Sequence, residues 1–149
     1  MPSMQRAMSA YGQAAETLAP ARQIVLLYDG AMRRIKEARR ALEQGQVNER
    51  YVAVEKARAI IEALQACLDH ERGGEIARNL DRIYTYVAFR LQRINLRGEV
   101  AVCDELVLRL GELRASWAQI AGLSTVQAGA PLAPGARART PSPETALTI

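Results

Sequence analysis

Apolar residues recur through most of this chain at alternating steps of four and three, the spacing that keeps them on one face of an α-helix. The first such stripe is Ile24, Tyr28, Ala31, Ile35, Ala38 and Leu42. Pro20 suits the first helical turn, where a missing N–H has no partner to lose, and Gly45 reads as the stop. A second stripe is Val47, Val54, Ala57, Ile61, Leu64 and Leu68, with Asn48 as the expected N-cap. A third, Ile76, Leu80, Ile83, Val87, Leu91 and Ile94, stops around Gly98. The fourth, Cys103, Leu106, Leu110, Leu113, Trp117 and Ile120, ends before Gly122. No run alternates in the period of a β-strand. Similar helix lengths and short connections predict an all-α fold, an antiparallel four-helix bundle.

The ends differ from this middle. Met4, Met8, Tyr11, Ala15 and Leu18 repeat the helical spacing, but a segment this short is marginal in water and needs something to lie against. From Gly122 onward the chain holds four of its six prolines, few bulky apolar residues and no period, so it cannot offset its own chain entropy. Three regions are therefore expected: a helical or extended cap segment over 1–18, the bundle over 19–121, and a disordered tail rich in Pro, Ala and Gly over 122–149.

Composition fits one domain: 149 residues with 49% hydrophobic content can bury a core without metal or disulfide staples. The net charge of +4 points only weakly to an anionic partner, because Arg and Lys are interleaved with Asp and Glu. The opening residues have no apolar core of a signal peptide, and no segment is apolar for long enough to cross a bilayer, so a cytoplasmic location without membrane insertion is expected. Cys67 and Cys103 are far apart, lack a CxxC spacing and read as reduced core thiols.

Catalytic chemistry is hard to find. The single histidine, His70, sits between Asp69 and Glu71 where a helix ends, and adjacent residues there point apart. There is no Glu-x-x-His pair, no HExxH, no nucleophile elbow and no Walker loop. The expectation is a protein that is not an enzyme and needs no cofactor or metal. The Gly73–Gly74 pair could offer free N–H groups to a phosphate. It follows no strand, is not followed by Lys-Ser/Thr, and has Glu75 beside it, so a tight connection between the second and third helices is the better reading.

The apolar faces are wide. Ile24, Val25, Leu26 and Leu27 follow in succession, Val52 and Ile60 lie off the second stripe, and Tyr84, Tyr86 and Phe89 lie off the third. Either these residues are covered within the fold, or they leave a hydrophobic groove for a partner's amphipathic helix.

The stretches LLYDGAMRRIKEA (26–38), ALEQG (41–45), LDHERGGEIARNLDRIYTYVAFRL (68–91) and LRASW (113–117) closely resemble the FliS family of flagellar secretion chaperones, over about residues 10 to 120. Its most specific pieces are Leu-Tyr-Asp-Gly and Gly-Gly-Glu-Ile-Ala-x-Asn-Leu. The resemblance implies a cytoplasmic bundle that binds the C-terminal segment of flagellin, keeps it from polymerising and assists its export. A flagellar export gate component and a flagellar regulatory protein are the further partners it suggests. On this reading Leu27, Tyr28, Leu64, Leu68, Ile76, Asn79, Leu80 and Tyr84 form the flagellin-binding groove, capped by Met8 and Tyr11 when no client is present. A basic helical bundle that binds nucleic acid or acts as a regulatory adaptor is the alternative, and it would use the surface of Arg33, Arg34, Arg39 and Arg40.

Overall fold

The computed structural model describes Met4, residues 6–8 and residues 21–122. Met4 and residues 6–8 are helical. Four long helices follow: α1 (Ala21–Glu43), α2 (Val47–Ala66), α3 (His70–Arg97) and α4 (Val100–Ile120). Among the described residues there is no strand. α1 packs on α2 and α4, and α3 closes the ring against α2 and, more loosely, α4. Every neighbouring pair is antiparallel: Asp29 and Arg39 of α1 meet Arg114 and Asp104 of α4, while Arg50 and Gln65 of α2 meet Asn95 and Asp81 of α3. The all-α bundle expected from periodicity is the observed architecture.

The periodic positions are the interior. Tyr28, Ala31, Ile35 and Ala38 of α1 pack with Val54, Ala57, Ile61 and Leu64 of α2. Leu80, Val87, Leu91 and Ile94 of α3 and Cys103, Leu106, Leu110 and Trp117 of α4 complete the core. Cys67 is half-buried, Cys103 is buried, and both are free thiols.

Three expectations need correction. Val47, assigned to the second core stripe, is 58% exposed, because it begins α2 before the helix reaches the interior. Asn48 is not the N-cap: Gln46 occupies that position, without a side-chain capping bond. The Gly73–Gly74 pair is not the connection between helices, since α3 has already started at His70. Its cap is Asp69, whose side chain accepts from the N–H groups of Glu71 (3.1 Å) and Arg72 (3.0 Å). The glycines instead break the helix after one turn. Gly74 adopts φ 50° and ψ −121°, a conformation that only glycine enters readily. The single turn before it is angled away from the long remainder of α3, which carries the core contacts.

The far end of α3 shows the second such requirement. Gly98 is left-handed (φ 65°) and its N–H bonds the carbonyl of Ile94 at 3.0 Å. A Cβ there would come within 3.1 Å of Leu42 Cδ1, so this glycine also lets α3 end against α1.

Candidate functional site

All eight residues expected to form a groove fall in the half of the bundle around the α2–α3 turn, where α1 begins and α4 ends. They do not share one environment. Tyr28, Leu64, Leu80 and Tyr84 are buried in the core, whereas Leu27, Leu68 and Ile76 are half-buried and packed against it. Asn79 lies at the edge, its Oδ1 accepting from Arg82 Nη1 at 2.9 Å. Of the two expected capping residues, Met8 is fully buried within the core cluster, and Tyr11 lies outside the described residues.

The chemical centre of this half is a buried pair of tyrosines. The hydroxyls of Tyr28 and Tyr84 approach to 2.5 Å across the bundle, with their rings tilted at 51°. Burial pushes the Tyr28 hydroxyl well above the ordinary tyrosine range, while hydrogen bonds with Tyr84 and Trp117 act in the opposite direction. Polar atoms buried this deeply stay stable only when bonded, so the pair fixes how α1 and α3 face each other.

The Leu-Tyr-Asp-Gly stretch of α1 spans residues 27–30. Leu27 half-covers the core, Tyr28 supplies the central hydroxyl, and Asp29 accepts from Arg114 of α4 at 2.7 Å. At Gly30 the absence of a side chain admits α2, since a Cβ would stand 3.3 Å from Ile60 Cδ1. Four consecutive residues thus bind α1 to the rest of the bundle in four different ways.

Ile76, expected in the groove, has further apolar neighbours at this end that periodicity places in the core stripes. Ile76 and Ile83 of α3, and Leu113 and Ile120 of α4, are all half-buried against the core. Helical spacing puts Ile76 and Ile83 on the side of α3 from which Arg90 reaches Glu105 of α4, and Leu113 and Ile120 on the corresponding side of α4. They line the seam between the two helices that pack most loosely. The signal was present in the sequence, as members of the third and fourth stripes, but a stripe cannot distinguish a sealed interface from a partly open one.

Other candidates fare differently. His70 is exposed at the first turn of α3, and no group of metal-ligating residues occurs among the described residues. Of the arginines proposed for nucleic acid, Arg34 pairs with Glu37 at 3.0 Å and Arg39 with Glu43 and Asp104 at 2.7 Å each. Half of that basic surface is already neutralised. A surface cavity of about 490 Å³ at the opposite end of the bundle, between α1 and α2, is walled by Arg34, Glu37, Arg40, Val52 and Lys56 and was not expected. No helix among the described residues is long and apolar enough to cross a membrane.

The chain is similar in sequence to known proteins of one family. The family model described as flagellar protein FliS matches residues 4–124. The chain is 41% identical over 98 residues to the flagellar secretion chaperone FliSB of Pseudomonas aeruginosa, covering 66% of this chain and 78% of that protein. It is 39% identical over 109 residues to the flagellar secretion chaperone FliS of Salmonella typhimurium, covering 72% and 81% respectively. Against the flagellar secretion chaperone FliS of Bacillus subtilis the identity is 25% over 118 residues, covering 78% and 87%.

Proposed function

We propose that this chain, which belongs to the FliS family of flagellar secretion chaperones, binds the C-terminal segment of flagellin in the cytoplasm, prevents its premature polymerisation and assists its export. The observation that carries the proposal is Met8. A residue well outside the four long helices is fully buried in their core cluster, with Met4 partly buried beside it. The bundle therefore completes its apolar interior with side chains borrowed from a separate segment, and what one tethered segment fills, another apolar segment can fill in its place.

The binding surface is the half of the bundle around the α2–α3 turn. Tyr28, Leu64, Leu80 and Tyr84 form its floor, Leu27, Leu68 and Ile76 its rim, and Asn79 a polar edge. Ile83, Leu113 and Ile120 extend it along the α3–α4 seam. A disordered amphipathic client that buries its apolar face here cannot use that face for filament contacts. Such a mechanism needs no ATP, because the free energy comes from removing apolar area from water. Met8 and Tyr11 act as the client's competitor. Tethering gives their segment an effective concentration on the order of mM, so the groove is covered when empty and the client's apparent affinity falls in proportion to the open fraction. An export gate component receives the complex, and a flagellar regulatory protein is a further partner.

The test is calorimetric titration of the purified chain with the C-terminal segment of its own organism's flagellin, alongside light scattering of polymerising flagellin. A discrete complex together with delayed polymerisation supports the proposal. Absence of both overturns it.

A further inference from the structure

The outward face of α3 has a composition that neither the core nor the proposed client surface uses. Arg78, Arg82, Tyr86, Phe89, Arg93 and Arg97 recur at steps of four, four, three, four and four. They stand on the side of the helix opposite the buried Leu80, Tyr84, Val87 and Leu91. Phe89 is 57% exposed, and Leu96, on the same side, is 79% exposed. The stripe runs about 30 Å at 1.5 Å per residue, more than five helical turns.

Its charge is largely uncompensated. Arg78 is paired with Glu75, whereas Arg82 bonds the amide oxygen of Asn79 and feels Glu75 only through a longer-range attraction. Arg93 and Arg97 have no carboxylate partner among the described residues, and Arg93 Nε is covered by protein without a hydrogen bond. In the middle of the stripe Tyr86 is held rigidly. Its hydroxyl donates to Glu105 at 2.6 Å, and the guanidinium carbons of Arg90 and Arg109 lie 5.9 and 5.4 Å from its ring centroid. A fixed aromatic, a second exposed aromatic and an exposed leucine thus alternate with cations along one line.

We propose that this face of α3 docks an acidic amphipathic helix of a partner protein other than the client, its apolar residues meeting Tyr86, Phe89 and Leu96 and its carboxylates meeting Arg82, Arg93 and Arg97. The complementarity is in width as well as charge. The stripe is one helix wide, and the neighbouring helices carry carboxylates of their own: Asp104, Glu105 and Glu112 on α4, Glu55 and Glu62 on α2. Most of those carboxylates are already paired with arginines, so the flanking helices present little net charge, and the uncompensated cations are confined to a line that a single helix can follow. The stripe borders the proposed client surface at Asn79, to which Arg82 donates, and its remaining residues lie farther along and around α3.

The test uses the full chain and a labelled synthetic helix with leucines at heptad-like spacing and glutamates elsewhere, read by fluorescence anisotropy. The comparisons are a peptide of the same composition with the leucines scrambled, a single-stranded oligoribonucleotide, and vesicles rich in phosphatidylglycerol. The patterned peptide is expected to bind saturably and to lose affinity about tenfold on Phe89→Ala and on Arg82→Glu, with unchanged melting curves because both residues are exposed. Lys36→Glu, an equal charge change on exposed α1, is expected to leave binding unchanged. Equal binding of the scrambled peptide, indifference to both α3 variants, or tighter stripe-dependent binding of the oligoribonucleotide or the vesicles would overturn the proposal.

Discussion

Removing the two central hydroxyls, singly and together, probes whether the buried tyrosine pair organises the bundle. Tyr28→Phe and Tyr84→Phe each keep the ring and its packing and take away one oxygen. The remaining hydroxyl loses a 2.5 Å bond at a site where both side chains are buried, so water cannot replace the lost partner at no cost. Losing one hydrogen bond at a buried hydroxyl costs ~1–3 kcal/mol, toward the lower end where a further partner stays, as Trp117 does for Tyr28. In the double variant the bond between the two hydroxyls is lost only once, so the loss should approach that of the costlier single variant rather than the sum. The expected coupling is ~1 kcal/mol or more, well outside the ~0.3–0.5 kcal/mol scatter of independent sites. Urea denaturation followed by far-ultraviolet circular dichroism measures all three variants against the parent. Strictly additive losses would refute the reasoning, because they would mean that the two hydroxyls do not depend on each other in the folded protein.

Alkaline pH tests the same centre together with Cys103, which lies toward the other end of the bundle. Burial raises the Tyr28 hydroxyl and pushes the Cys103 thiol up to about 11, so both hold their protons more tightly folded than unfolded. Their contribution is complete below the unfolded values, ~8.5 for Cys and ~10 for Tyr, and is lost as pH rises beyond them. The urea midpoint should begin to fall above about pH 8.5 and fall faster above about pH 10, with the second decline flattened in Tyr28→Phe. Gly98→Ala should cost ~1–2 kcal/mol in left-handed backbone strain, with its new Cβ meeting only the flexible end of Leu42, and Gly74→Ala should cost at least as much, because φ 50° with ψ −121° lies outside the left-handed region that side chains tolerate; thermal melts of the two variants check this order. Asp29→Ala should cost no more than ~1 kcal/mol by the same melt, since the Asp29–Arg114 pair is about a third exposed and water screens it.

Periodicity carried the fold because a packed bundle asks each helix for one apolar face, and every stripe of fours and threes supplied one. It failed where burial depends on position along a helix rather than around it. Val47 has the right azimuth but sits at the first turn of α2, beyond the reach of the neighbouring helices. The excess aromatics of α3 also divided in a way that spacing alone did not decide. Tyr84 turned inward because its hydroxyl found Tyr28 across the core, whereas Tyr86 and Phe89 lie outside, where Glu105, Arg90 and Arg109 hold the former. The glycine pair was recognisable as a break, but the Asp69 cap that starts α3 before it was not, because capping depends on the local path of the chain. Whether the seam beside Ile76 and Leu113 is sealed depends on how closely α3 approaches α4, a distance no stripe encodes. Tyr11 and the tail after Gly122 lie outside the described residues.

The affinity of the flagellin C-terminal segment for a rim variant tests the central claim most directly. Ile76→Ala combined with Ile83→Ala removes three carbons at each of two half-buried positions. At ~0.8 kcal/mol per buried carbon, with no more than about a third of each side chain still exposed before the client arrives, the client loses ~0.8 kcal/mol per site and ~1.6 kcal/mol in all, roughly a 15-fold weakening. Calorimetric titration, with a melt confirming that the double variant remains folded, should show this loss. An unchanged affinity in the folded double variant would contradict the placement of flagellin on this half of the bundle.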